Sequence, residues 1–190
     1  MVNRDARLQR LLDRQDIEEA LRRFCRGMDR FDRDCFLSAF HADATIAAGV
    51  FVGSPVDLYD WASELHEQGQ YATQHHLTNI QCDIDGSTAH VEAYYQFVGR
   101  NRDESIWIAG GRYLDRFECR DDHWKIALRT NVIEWSGSLP SLPIPFADVP
   151  GIHDNGRASR DRSDPSYLRP LVNRRAPCVP APMAPLDESV

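Results

Sequence analysis

Ten of the eleven prolines in this 190-residue chain lie beyond residue 136. Proline lacks a backbone N–H and holds φ near −65°, so it interrupts helices and is excluded from central strands. A regular fold must therefore be complete by about residue 136. The remainder, with S-L-P-S-L-P-I-P-F at 138–146 and A-P-C-V-P-A-P-M-A-P at 176–185, reads as an extended arm. This divides the chain into a folded domain, 1–136, and a proline-rich extension, 137–190. Leu139, Ile144, Phe146, Tyr167 and Leu171 give the arm an apolar side. They predict that part of 137–175 packs on the domain, at the mouth of any cavity it holds, or across a subunit boundary.

Within the first part, the periodicity changes from helical to strand-like along the chain. Asp16 reads as an N-cap, with Glu19 completing a capping box. From there Ile17, Ala20, Leu21, Phe24, Cys25 and Met28 recur at helical spacing to about residue 31. D-C-F-L-S-A-F follows as a short second helix, and A-T-I-A-A-G-V-F-V-G as a strand or hairpin. S-P-V-D-L-Y-D-W-A-S-E-L-H is a third helix with Pro55 in its first turn. Then come strand-like runs at 72–84, A-H-V-E-A-Y-Y-Q-F-V, S-I-W-I-A-G-G-R-Y-L-D-R-F-E-C and W-K-I-A-L-R-T-N-V-I-E-W. They are separated by the turns I-D-G-S and R-D-D-H, and the paired glycines at 110 read as a bulge. Helices followed by an antiparallel meander define an α+β class, in which the sheet must curl around the helices to bury one face.

Composition removes several functional classes. A formal net charge of −7 opposes general nucleic-acid binding, which needs a basic surface. No apolar run reaches the ~18 residues of a membrane span, and the charged start M-V-N-R-D-A-R-L-Q-R is unlike a signal peptide. The five cysteines lack metal-site spacing and are expected to be free thiols in a reducing cytoplasm. Neither a glycine-rich phosphate loop nor a metal cluster is visible, so no cofactor is expected.

The chemistry-bearing feature is A-T-Q-H-H-L-T-N at 72–79. On a strand His75 and His76 point to opposite faces. One face carries Thr73, His75, Leu77 and Asn79, and the other Gln74, His76, Thr78, Ile80 and Cys82. Neither is cleanly apolar, so periodicity does not choose between them. Asp29 supplies a partner. It lies four residues after Cys25 and eight after Leu21, on the apolar stripe of the first helix. A carboxylate near a helix C-terminus is disfavoured by roughly 0.3–1 kcal/mol. On the core side it needs compensation, and a histidine of the overlying sheet can provide it. Spacing alone leaves open whether either residue is instead an ordinary structural or solvated group.

G-M-D-R-F-D at 27–32, H-H-L-T-N at 75–79, G-G-R-Y-L-D-R-F-E at 110–118 and D-D-H-W-K-I at 121–126 occur in an order that resembles the SnoaL-like branch of the nuclear transport factor 2-like superfamily. The resemblance spans roughly residues 8–136. It implies a cone-shaped α+β barrel, with three N-terminal helices on a strongly curved mixed or antiparallel sheet enclosing a pocket. Within that branch the motifs are similar to the hexachlorocyclohexane dehydrochlorinases and, more loosely, to the scytalone dehydratases. The similarity implies a catalytic dyad of Asp29 and His75, with His76 as its outward neighbour, and an anion-stabilising arginine at Arg129. Tyr95 and Phe97 share a strand face and, with Trp107 and Tyr113, are expected to line an apolar cavity. The expectation is a cofactor-independent lyase acting on a small apolar, cyclic or aromatic substrate, most simply by dehydration. Dehydrohalogenation, isomerisation, carbon–carbon cleavage and a non-catalytic ligand-binding or assembly module are the alternatives. As a partner, beyond a small molecule, the resemblance implies only a second copy of the chain, in a dimer or trimer.

Overall fold

The computed structural model describes residues 4–178. Its elements are α1 (Arg4–Asp29), α2 (Arg33–Leu37), β1 (Phe40–Ala48), β2 (Phe51–Gly53) and α3 (Pro55–Gly69), then β3 (Gln70–Asp85), β4 (Thr88–Asn101), β5 (Ile106–Arg120) and β6 (His123–Leu139). The six strands form one sheet in the order β2-β1-β6-β5-β4-β3. Every pairing is antiparallel except β1 with β6. The three helices pack on this mixed sheet as a cone-shaped α+β fold. It does not close into a barrel, because β2 and β3 remain edges. No described helix is long and apolar enough to cross a membrane.

Helix α1 corrects one reading of the sequence. It starts at Arg4, so Asp16 is an exposed mid-helix residue and not an N-cap. The Asp16/Glu19 pattern imitates a capping box, but residues 4–15 are rich in Leu, Arg and Gln. These favour the helix without tertiary help, and Gln9 donates to Asp13 one turn on at 3.1 Å. The second half behaves as its stripe predicts, burying Ile17, Leu21, Phe24, Cys25 and Met28 against the sheet. Each large apolar side chain so buried contributes about 1.5–3 kcal/mol. Gly27 lets α2 approach, since a Cβ there would lie 2.3 Å from the Phe36 backbone nitrogen.

Strand β4 alternates cleanly, with Ala89, Val91, Ala93, Tyr95 and Phe97 inward. The register of β5 on β6 shifts at Gly110/Gly111, where the paired glycines sit, and again at Arg116/Phe117. The turn between these strands places Asp121 and Asp122 at positive φ, 50° and 61°, the conformation of a tight two-residue hairpin.

Beyond β6 the arm folds back onto the helix ends. The Tyr167 hydroxyl donates to Asp32 at 2.8 Å, and Arg26 lies over the Tyr167 ring while donating to Ser166. Arg160 donates to the carbonyls of His66 and Gln70, capping the last turn of α3. The arm thus docks on the ends of α1 and α3, and none of its described residues lines the main cavity. Of the five apolar residues singled out in the sequence, Tyr167 is half-buried and packs on the domain. Leu139, Ile144, Phe146 and Leu171 are exposed on the single chain. The proline run from residue 179 onward lies outside the described residues.

Candidate active site

Strand β3 explains why neither face of its sequence reads as apolar. Its register on β4 slips between Thr78 and Ile80, and Asn79 takes a positive φ of 27°. The extra residue reverses the alternation. Thr73, His75 and Leu77 face inward before the bulge, and Ile80, Cys82 and Ile84 after it. Asparagine tolerates positive φ better than most residues, which accounts for Asn79 at the end of H-H-L-T-N. His75 is thereby inside, opposite Phe97 on β4. His76 is exposed, and its ring meets Gln74.

Helix α1 ends directly beneath this strand. Asp29 Oδ1 lies 2.7 Å from His75 Nδ1, and Asp29 Oδ2 accepts the His75 backbone N–H at 2.8 Å. One residue therefore occupies both carboxylate oxygens. Burial works to raise the Asp29 carboxyl pKa, but the hydrogen bonds and charge of His75 outweigh it and hold the group below its usual value. A carboxylate can only accept, so Nδ1 carries the proton, and in the neutral ring Nε2 is the nitrogen with the lone pair. Nε2 has no hydrogen-bond partner among the described residues, and the ring lines the cavity.

Arg129 enters the same cavity from β6 and is 1% exposed. Its Nε and Nη2 donate to the two oxygens of Asp115 at 2.7 Å each, a bidentate pair. The guanidinium carbon sits 4.2 Å from the ring centres of both Phe24 and Tyr113. Burial works against its charge, and Asp115 more than restores it, so the group is held charged. Its Nη1 is buried without a partner. An unpaired charged donor in an apolar wall is costly unless something else satisfies it.

The cavity between these groups holds about 480 Å³, the size of a small-ligand pocket. Tyr95, Phe97, Trp107 and Tyr113 all line it. Tyr95 stacks on Tyr113 at 4.3 Å, and Trp107 packs edge-on to Phe97 at 5.0 Å. Burial pushes the Tyr113 phenol well above its usual pKa, so it stays neutral. Sequence reasoning missed three polar neighbours: Asp115, which orients Arg129, Asn131, which lies beside the Tyr95 phenol, and His66. The signal for His66 was present. Leu58, Ala62 and His66 follow one another at four-residue spacing, the same stripe argument that singles out Asp29. Among the described residues no three His, Cys, Asp or Glu side chains converge as a metal site.

Three helices packed on a six-stranded mixed sheet as an open cone is the architecture of the nuclear transport factor 2-like superfamily. Within it, residues 9–130, well over half of the chain, match the family model of the SnoaL-like domain, and the chain belongs to that family. Among solved structures it is similar to the hexachlorocyclohexane dehydrochlorinase LinA type 2. The identity is 21% over 76% of this chain and 99% of that one, with a TM-score of 0.65. A "putative scytalone dehydratase" from Novosphingobium aromaticivorans matches at 21% identity, over 70% of this chain and 91% of that one, with a TM-score of 0.61. A "putative aromatic ring hydroxylase" from the same organism matches at 20%, over 68% and 94%, with a TM-score of 0.61. At such identities the likeness carries the fold. No curated protein matches the chain.

Proposed function

We propose that the chain is a cofactor-independent lyase that eliminates a leaving group from a small, largely apolar substrate, with dehydration as the favoured subtype. The observation that carries this reading is the free Nε2 of His75, held by Asp29 and facing a cavity that Arg129 also enters. In the proposed step His75 Nε2 takes a proton from a substrate carbon. The C–H electron pair becomes a C=C bond, and the group on the adjacent carbon leaves with its bonding electrons. Asp29 stabilises the imidazolium that forms, as the orienting carboxylate of a hydrolase triad does. The unpaired Nη1 of Arg129 stabilises the departing anion or an enolate oxygen, in a dry site where its charge is strongly felt. His75 then returns the proton to the leaving group or to solvent.

Two further supports come from the cavity and its surroundings. Its aromatic wall suits a cyclic or aromatic ring, and a non-catalytic binding module of this fold would have no need of a charged Asp–His dyad facing its cavity. We also propose a homo-oligomer, because Trp135, Leu139 and Ile144 are large apolar side chains left exposed at and beyond the end of β6. The test of the lyase is a set of cyclic alcohols and halides incubated with the wild type and with His75→Ala, following alkene formation. Equal turnover by the two proteins removes the mechanism.

A further inference from the structure

His66 belongs to the cavity wall but not to the dyad. It lies in the last turn of α3, its ring stacked on Phe97 at 5.4 Å and 6.3 Å from the ring of His75. A chain of hydrogen bonds leads from it to the surface. His66 Nδ1 lies 2.9 Å from Gln70 Oε1, and Gln70 Nε2 donates to Asn101 Oδ1 at 3.1 Å. Asn101 Nδ2 donates to Ser105 Oγ at 2.9 Å, and Ser105 Oγ donates to Asp103 Oδ1 at 2.6 Å.

The carboxylate at the far end sets the polarity of the whole chain. Asp103 can only accept, so the Ser105 hydroxyl must donate to it and accept from the Asn101 amide nitrogen. Asn101 then offers its oxygen to Gln70, and Gln70 offers its oxygen to His66. Nδ1 must therefore carry the proton, leaving Nε2 as a lone pair with no partner among the described residues. Burial lowers the pKa of His66, more than the Gln70 bond raises it, which favours the same neutral form. A histidine kept only to complement the helix end would act there as a cation.

We propose that His66 is a specificity-determining residue that accepts a hydrogen bond from a hydroxyl of the substrate, so that the cavity selects hydroxylated rings over their ethers or plain hydrocarbons. The inference rests on the reading of this cavity as a substrate pocket, and it names the functional group that the pocket reads. Two oriented acceptors then face one apolar space. His75 removes the proton from carbon, and His66 fixes the ring by a group that is retained. Gln70, 7% exposed, acts through His66 as a positioning residue.

The test is binding, which needs no turnover. Affinities for 2-naphthol and for 2-methoxynaphthalene are measured by calorimetry on the full chain. The wild type should prefer the naphthol by about tenfold, the worth of one well-placed hydrogen bond. His66→Phe keeps the stacking on Phe97, and should lose the preference by weakening the naphthol alone. Gln70→Met should reduce it, and His75→Ala should preserve it. Nitrogen-15 NMR of the unmodified protein should show His66 with a protonated Nδ1 and a bare Nε2, a readout independent of any variant. Equal affinity of the wild type for the two probes, a preference that vanishes in His75→Ala but survives in His66→Phe, or a protonated Nε2 would each overturn the proposal. A protein that discriminates the probes but turns over no alcohol or halide would refute the lyase reading and leave this one standing.

Discussion

His75 takes both oxygens of Asp29, one with its ring and one with its own backbone N–H. The backbone bond places the strand on the helix end, and the ring bond fixes the tautomer. The Asp29–His75 pair is therefore part of the contact that seats β3 on α1. The chemistry proposed for it must be tested by changes that separate that role from packing.

Asp29→Asn preserves the shape of the side chain but loses the charge and the control of the tautomer. Under the lyase mechanism kcat should fall by about 10³–10⁴, the scale of loss when an orienting carboxylate is neutralised in a hydrolase triad. His75→Ala should abolish turnover. His76→Ala, on the exposed face, should change kcat less than about threefold, consistent with a surface substitution. Steady-state kinetics on one substrate decide it, and a strong dependence on His76 would place the base on the wrong side of the strand.

The same carboxylate predicts a pH dependence of stability. His75 holds the Asp29 pKa below 3.8 in the folded protein, whereas the unfolded chain has the ordinary value of about 3.9. The unfolded state therefore binds the proton first on acidification. The stabilisation is fully present above the unfolded pKa and is lost as pH falls through the folded one. In urea denaturation, the gap between the wild type and Asp29→Asn should shrink steadily as pH falls below about 5. The other depressed carboxylates are common to both proteins and cancel in the difference. A gap independent of pH would contradict the assignment.

Arg129 and Asp115 form a buried pair, 1% and 0% exposed at the side chain. Removing one partner leaves an uncompensated charge among Phe24 and Tyr113. Asp115→Ala should therefore lower the unfolding free energy by about 3–5 kcal/mol. The double change Arg129→Met with Asp115→Leu should recover most of that loss while remaining inactive. Denaturant midpoints with unchanged slopes would establish this, and additive losses in the double variant would count against it.

Within the arm, Asp164 locks the turn that carries Tyr167, accepting the backbone N–H groups of Ser159 and Ser166 at 3.0 and 2.9 Å. Burial opposes its ionisation, but the Ser166 and Ser159 hydrogen bonds win and take its pKa down to about 2. The lock is thus present above the ordinary carboxylate range and opens only as pH falls toward that value. At neutral pH Asp164→Ala should expose the segment around Arg160 and Arg162, so that trypsin cuts there roughly tenfold faster or more, the worth of hydrogen bonds to a charged group. Unchanged cleavage would show that Tyr167 and Asp32 hold the arm without it.

Much of this was legible in the order of residues. The proline-rich arm, the helix stripe that carries Asp29, the two turns and the paired-glycine bulge are local properties of backbone and periodicity. The four ordered motifs pointed to the family and, with it, to Asp29, His75 and Arg129. The start of α1 misled because a capping box is a side-chain pattern, and helix-forming residues before it let the backbone run on. What the tertiary structure decided was register. One extra residue at Asn79 turns Ile80, Cys82 and Ile84 to the same side as His75, so an alternation that looks mixed in the sequence is one apolar face in space. Another slip at Arg116/Phe117 brings Asp115 opposite Arg129. Counted outward from the Arg120–His123 turn without it, Arg129 would face Leu114. Such bulges are set by how a strand meets its neighbours and the helices beneath, interactions between residues far apart in the chain. Periodicity therefore names the residues that can meet, and the long-range pairing determines which of them do.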